Sequence, residues 1–224
     1  MYLPDYKGGS IVNLMSSIGN FFNGEMLYPE LRIFPNDKIK GVKNVVLLVV
    51  DGLGYEYLKN KKSILNENLA GEMTSVFLPT TACAVTSFLT GVAPQQHGLT
   101  GWFMNLKEAG VVSAVLPFVP RYGGEVLSDY DIDMKNIINC ESFFKKIKAS
   151  KFLIQEEKIA YSDYSRIMAD KAKVGSFKNL SGFFSKIKKA IKYNNKKKYI
   201  YAYWSEFDHI CHDYGIGSKK CEKH

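Results

Sequence analysis

The sequence predicts an α/β protein built on a mostly parallel sheet flanked by helices, and three observations lead there. The run Asn44–Val50 is apolar and β-branched on both faces, the pattern of a central parallel strand. Further strand-like runs at Thr74–Leu78, Val111–Leu116, Ile154–Tyr161 and Tyr199–Trp204 alternate with stretches of helical periodicity. The chain of 224 residues is 46% apolar and 13% aromatic, enough for one sizeable core and too apolar for a disordered or collagen-like chain.

From the amino terminus, Met1–Lys7 carries no basic region followed by an apolar stretch, so no secretory signal or lipid anchor is expected. The longest apolar run, Val45–Val50, falls far short of the roughly 20 residues that span a bilayer. A soluble cytoplasmic protein without a membrane partner is the expectation. The Asn44–Val50 strand ends at Asp51-Gly52-Leu53-Gly54. Thr74–Leu78 stops at Pro79, and Thr80-Thr81 then stand where a helix N-cap belongs, ahead of the apolar Ala82, Val85, Phe88 and Leu89. Gly91 closes that helix.

Two later segments share the i, i+3, i+4, i+7 rhythm: Cys140, Phe143, Phe144, Ile147 and Leu180, Phe183, Phe184, Ile187, Ile191. Their flanks do not match, so they are two amphipathic helices and not a repeat. Lys186, Lys188, Lys189, Lys192 and Lys196 to Lys198 form a basic run read as a solvated face, since no aromatic platform or recognition motif accompanies it. No specific nucleic-acid binding is expected. The net charge of +8 favours anionic ligands without naming one. Cys83, Cys140, Cys211 and Cys221 are too few and too scattered for a disulfide scaffold and are read as thiols. No Pro-, Gly- or Ser-rich linker interrupts the chain, so residues 1–224 are read as a single domain.

Three local features can carry chemistry. Asp51 sits at the carboxyl end of a strand beside glycines that let a ligand approach, where open α/β sheets place their sites, although a turn or cap role suits it as well. Pro79-Thr80-Thr81-Ala82 puts two hydroxyls at a strand-to-helix junction, whose free N–H groups suit either a plain N-cap or a phosphate. Asp208-His209-Ile210-Cys211-His212-Asp213-Tyr214-Gly215 follows a strand, and Asp208 and His212 lie one helical turn apart, a pair suited to Zn²⁺ or a similar ion. Competing groupings there are His209 with His212, Asp213 as the carboxylate, and Cys211, Cys221 and His224 around a structural zinc.

Taken together, Leu47–Gly54, Leu78–Ala82, Leu89–Gly98 and Tyr203–Gly215 resemble, in order and spacing, the alkaline phosphatase superfamily. The branch they are most similar to is the type I phosphodiesterase/nucleotide pyrophosphatase family. The resemblance implies a doubly wound sheet and two divalent metal ions, usually zinc with Mn²⁺ or Fe tolerated, flanking a Thr or Ser nucleophile. Carried over, Asp51 and Thr81 bind one metal, Asp208 and His212 bind the other, and Thr81 is the nucleophile. Counting back nine residues from Thr90 selects Thr81 over Thr80. The substrate implied is a small-molecule phosphate ester or nucleotide, with residues 101–195 as substrate-side insertions. His97, in the Pro94–Gly98 turn, is read as structural.

The chain also departs from the family pattern. It lacks the Asp-His-Gly motif and the last distant His of the second half, has Cys211 where a Gly precedes the His, and has Trp102 where an oxyanion-stabilising Asn is usual, with Asn105 out of register. The expectation is therefore an incomplete domain, truncated at its C-terminal end, with an apolar sheet edge left uncovered. The function expected is metal-dependent cleavage of a phosphodiester or pyrophosphate bond. A catalytically inactive domain, or a relative of phosphomonoesterase or phosphoglycerate mutase type, is the alternative.

Overall fold

The computed structural model describes residues 2–138 and 140–224; Met1 and Asn139 lie outside it. Two sheets organise the fold. Strands β1 (Asn44–Val50), β5 (Ser150–Glu156), β6 (Lys173–Phe177) and β7 (Lys198–Trp204) form a four-stranded sheet in the order β1-β7-β5-β6. All of its pairings are parallel. Strands β2 (Phe103–Leu106), β3 (Val111–Ala114) and β4 (Val119–Pro120) form a small antiparallel sheet.

Helices cover both faces of the parallel sheet, as a doubly wound fold requires. On one face α1 (Ile11–Phe21), α4 (Thr81–Thr90), the single turn α6 (Phe143–Lys146) and α8 (Asp163–Ala169) bury Leu153, Tyr199, Tyr201 and Tyr203. On the other, α9 (Leu180–Ile191) packs Phe183, Ile187 and Ala190 onto Phe152, Ile154, Ile200, Ala202 and Trp204. Shorter pieces complete the chain: α2 (Tyr55–Leu58), α3 (Ile64–Glu67), α5 (Pro94–His97) and α7 (Glu157–Ala160), followed by α10 (Glu206–Tyr214) and α11 (Lys219–Lys223). None of the described helices is long and apolar enough to cross a membrane.

β7 and β5 are the interior strands, and every residue of β7 is buried. β1 is an edge strand, not the central one its two-sided apolarity predicts. Val45, Leu47 and Val49 pack on the core below, while Val46 and Leu48 are 36% and 40% exposed. Among the described residues only β7 pairs with it. Composition told that both faces can be covered, but α9 packs over β5 and β7 and leaves Val46 and Leu48 outside its cluster.

Other boundaries move for similar reasons. Thr74–Leu78 is no strand: Thr74 makes one parallel bridge to Ser10, and Phe77 and Leu78 are exposed. The strand expected at Ile154–Tyr161 begins earlier, because pairing of Ser150 with Lys198 through Ile154 with Ala202 fixes its register. Glu157 then starts a helical turn. The helix around Cys140–Ile147 shrinks to Phe143–Lys146, since Ile147 is already extended on the way into β5. Its periodicity reported burial of Phe143, Phe144 and Ile147 rather than helix length. Residues 101–195 hold the antiparallel sheet and also α6, β5, α7, α8, β6 and α9, of which β5 and β6 are strands of the main sheet. Helix α1 was not anticipated, although Ser10 and the spacing of Ile11, Met15 and Ile18 signal it; Ser10 N donates to Asn13 Oδ1 at 3.0 Å and opens the helix.

His97 is fully buried in its turn. Leu99 N donates to its Nδ1 at 3.1 Å, so the proton sits on Nε2, which lies 3.2 Å from Ser87 Oγ. Burial pushes its pKa down to about 4. An imidazole held neutral in the fold but protonated in the unfolded chain contributes its full stability above the unfolded value of about 6.5, and that contribution drains away as the pH falls toward 4. The expected loss across this window is roughly 3 kcal/mol, read as a steeper fall of the urea midpoint with acid in the wild type than in His97→Gln.

The hydroxyl of Tyr201 is fully buried and has no hydrogen-bond partner among the described residues. Tyr201→Phe is therefore expected to raise stability by about 1 kcal/mol, against the usual sign for a core substitution. Urea unfolding checks it, since a lowered midpoint would mean the hydroxyl is satisfied.

Candidate active site

The site residues gather at the carboxyl edge of the parallel sheet, where β1 and β7 end side by side. Asp51 N donates to Trp204 O at 2.9 Å, extending the ladder one residue past Val50 and fixing where the Asp51 side chain leaves the sheet. The chain then turns at Gly52, whose φ of +74° suits glycine. A Cβ on Gly52 would come within 2.8 Å of Asp208 Oδ1 and 2.9 Å of its Cα. The glycine therefore serves two purposes: it makes the turn, and it lets α10 bring Asp208 against the end of β1.

Thr80 and Thr81 take different jobs. Thr80 is the N-cap of α4, its hydroxyl accepting from Cys83 N at 3.4 Å. Thr81, the first residue of the helix, donates from Oγ1 to Asp51 Oδ2 at 3.3 Å. The same carboxylate oxygen accepts from Tyr203 OH at 2.5 Å, and Asp51 Oδ1 accepts from Gly52 N at 3.0 Å. On α10, His212 Nε2 lies 3.4 Å from Asp208 Oδ2, and His209 Nε2 lies 3.7 Å from Asp213 Oδ2. Both are i, i+4 pairs, so the helix separates His209 and His212 onto different carboxylates.

The electrostatics of this edge are those of an anion kept out of water. Burial is the main force pushing the Asp51 carboxyl above its usual range, and the charge of Asp208 adds to it. The hydrogen bonds from Tyr203, Thr81 and Gly52 work in the other direction. Tyr203 is in turn held far above the ordinary phenol range by burial and by the Asp51 charge, so it remains a donor. Among the described residues no Lys or Arg forms an ion pair with Asp51 or Asp208. Two neighbouring half-buried carboxylates, neither paired with a Lys or Arg among the described residues, together with a hydroxyl and an imidazole, form a donor set that suits a hard or borderline divalent ion.

Among the described residues no three His, Cys, Asp or Glu side chains converge tightly enough to hold a metal by themselves. The expected ligands come as two pairs, Asp51 with Thr81 and Asp208 with His212. The structural-zinc grouping does not assemble: Cys211 and Cys221 meet, but His224 Nε2 instead accepts from Trp204 Nε1 at 3.1 Å. Tyr203 is the residue that sequence reasoning missed. Its signal was its place in β7, one residue from the strand's end and opposite Val49.

A cleft of about 690 Å³ opens beside this edge, lined by Gly54, Tyr55, Phe77 and Pro79 from the two site loops and by Asp5 and Arg32 from the amino-terminal segment. A separate cavity of about 500 Å³ lies between Asp131–Lys135 and α8, and neither cavity is lined by Asp51, Thr81, Asp208 or His212 themselves.

A parallel sheet flanked by helices, with acid and hydroxyl groups at its carboxyl edge, is the arrangement of α/β proteins that place their reacting site outside the carboxyl ends of the strands. The chain belongs to the type I phosphodiesterase/nucleotide pyrophosphatase family, whose model matches residues 45–224. That family lies within the alkaline phosphatase superfamily, and membership makes this a phosphodiesterase/nucleotide pyrophosphatase-type hydrolase acting on a small-molecule phosphoester or nucleotide. No curated protein and no solved structure matches the chain.

Gly52→Ala tests the close approach of β1 and α10. A Cβ there meets both a left-handed backbone and Asp208, so the expected cost is about 1–3 kcal/mol of stability. Phosphodiester hydrolysis should drop further than that loss explains, because Asp208 must move; urea unfolding and turnover measured together separate the two effects.

Proposed function

We propose that this chain cleaves a phosphodiester or pyrophosphate bond with Thr81 as nucleophile and two divalent metal ions, zinc by preference, as cofactors. Asp51 and Thr81 would hold one ion, and Asp208 and His212 the other. The observation that carries this reading is the hydrogen bond from Thr81 Oγ1 to the half-buried Asp51 carboxylate, at a helix N-terminus and beside Asp208.

The chain's own groups divide the work. Asp51 Oδ2 orients the Thr81 hydroxyl and holds its proton, while Tyr203 and Gly52 fix the carboxylate from behind. Thr80 spends its hydroxyl on the cap and leaves Thr81 free to attack phosphorus. The N–H groups of the first turn of α4 face the phosphoryl oxygens and favour their growing charge. Attack forms the bond from Thr81 Oγ1 to phosphorus as the first ester bond breaks, the departing oxygen takes up the proton held at Asp51, and water then displaces Thr81 from phosphorus, releasing the phosphate product and returning the proton to the threonine. Bound divalent ions would supply Lewis-acid polarisation of the phosphoryl group and charge neutralisation. The cleft beside Tyr55 and Phe77 gives room for the organic part of the ester. Within a single domain over 1–224, the antiparallel β2–β4 sheet is the part of 101–195 free to shape the substrate side.

One observation favours a second reading, a catalytically inactive domain that binds metal weakly: the absence of a three-ligand cluster among the described residues. Hydrolysis of bis(p-nitrophenyl) phosphate against p-nitrophenyl phosphate, with added Zn²⁺ or Mn²⁺, decides between them. The expected result is faster diester cleavage that Thr81→Ala abolishes. Thr80→Ala should cost about 1 kcal/mol of stability through the lost cap yet retain turnover. Loss of activity in Thr80→Ala with retention in Thr81→Ala would reverse the assignment, a monoester preference would move the chain to phosphomonoesterase chemistry, and no turnover in the wild type would leave the inactive domain.

A further inference from the structure

Cys211 lies on α10, one residue before His212, and Cys221 lies on α11, after a four-residue turn from Gly215 to Ser218. Gly215 and Gly217 adopt φ of +81° and +80°, conformations that fold α11 back onto α10. The result is a sulfur-to-sulfur separation of 3.3 Å between Cys211 and Cys221. Ser218 holds the second thiol in place: its Oγ donates to Cys221 Sγ and accepts from Cys221 N, each at 3.3 Å. Cys221 Sγ also approaches Gly215 O at 3.3 Å.

The other two cysteines are differently placed. Cys83 is fully buried against the Thr80 hydroxyl, and Cys140 donates to Gln96 O at 3.2 Å. Cys211 is partly exposed, whereas Cys221 is 3% exposed. An oxidant can therefore reach the pair from the Cys211 side while its partner waits under cover. α11 is otherwise fastened by an exposed ion pair, Lys61–Glu222 at 2.7 Å, and by the Trp204–His224 hydrogen bond. Such a helix can shift the short distance that a covalent bond requires. α10 buries only Phe207, so its position responds to what is tied to it.

We propose that Cys211 and Cys221 are an oxidative modification site, closing to an intramolecular disulfide that fastens α11 to α10. The co-reactant is a peroxide. One thiol is oxidised by hydrogen peroxide to a sulfenic acid with release of one water, and the second thiol attacks that sulfur, forming the S–S bond and releasing a second water. Two electrons pass from the two sulfurs to the peroxide, and a dithiol such as dithiothreitol returns them. The disulfide stands on this geometry alone; only an effect on turnover rests on Asp208 and His212 belonging to the active site.

The test uses the reduced full chain, titrated with hydrogen peroxide, quenched with N-ethylmaleimide under denaturing conditions, digested and mapped by mass spectrometry. The expected product is a cross-linked pair of peptides bearing Cys211 and Cys221, lighter by two hydrogen atoms and separable by dithiothreitol, with Cys83 and Cys140 alkylated. Hydrogen exchange over 206–214 should slow several-fold in the oxidised wild type and stay unchanged in peroxide-treated Cys221→Ser, whose turnover before oxidation matches the wild type. Free alkylation of both thiols, sulfinic acids in place of the cross-link, or pairing between chains would overturn the site. A cross-link without slower exchange in α10 would overturn the fastening. A cross-link that slows exchange yet leaves diester hydrolysis untouched would uphold both and count against the placement of His212 at the reacting centre.

Discussion

The parallel pairing of β1 with β7 is the constraint on which the rest of the structure depends. These strands are far apart in sequence, and their register sets Val50 opposite Trp204 and sends Asp51 N to Trp204 O. Tyr203 then stands where its hydroxyl meets the Asp51 carboxylate. The chain leaving β7 starts α10 at once and carries Asp208 onto Gly52. A slip of one residue would turn every side chain of β1 to the opposite face and separate Asp51 from both partners. The core enforces the register, because Val45, Leu47 and Val49 must meet the same apolar layer as Tyr199, Tyr201 and Tyr203.

What the pairing creates at the sheet edge is unfavourable by itself. A half-buried carboxylate beside a second carboxylate costs free energy, which hydrogen bonds from a phenol, a threonine and a backbone N–H only partly offset. Folds keep such arrangements where they act, and the same edge carries a helix N-terminus and a cleft. Aromatic packing supports it from both faces of the sheet: Phe22, Phe143 and Phe144 cluster around Tyr199, and Phe177 stacks on Trp204 with Phe183 tilted against it. The rigid layers on both faces of β7 hold the loops that would otherwise repel one another.

Much of this was legible in the chain. Asn44–Val50 and Tyr199–Trp204 showed as strands because long apolar or alternating runs have few other uses, and Thr80 with Gly91 bounded α4 because caps obey local chemistry. The order of the motif blocks pointed to the family whose model matches residues 45–224. Less visible were features set by partners. β6 is short, with a glycine and lysine in it, and is a strand only because β5 offers an edge. Phe143–Lys146 reads as a longer helix because periodicity registers the buried face and not where the backbone must leave for β5. Tyr203 as a ligand of Asp51 depends on a pairing across most of the chain, which no local window contains.

The sequence by itself determined the class of fold, the ends of the strongest elements and the chemistry of the residues at hand: acids after strands, hydroxyls at a helix start, an Asp and a His one turn apart. These follow from backbone propensities and short-range hydrogen bonding, which act within a few residues. Only the tertiary structure decided that β1 lies at an edge and β7 inside the sheet, that Tyr203 meets Asp51, and that Asp208 packs on Gly52. Those outcomes are fixed by burial and steric exclusion between segments distant in the chain, and a linear pattern carries no record of which surfaces will meet.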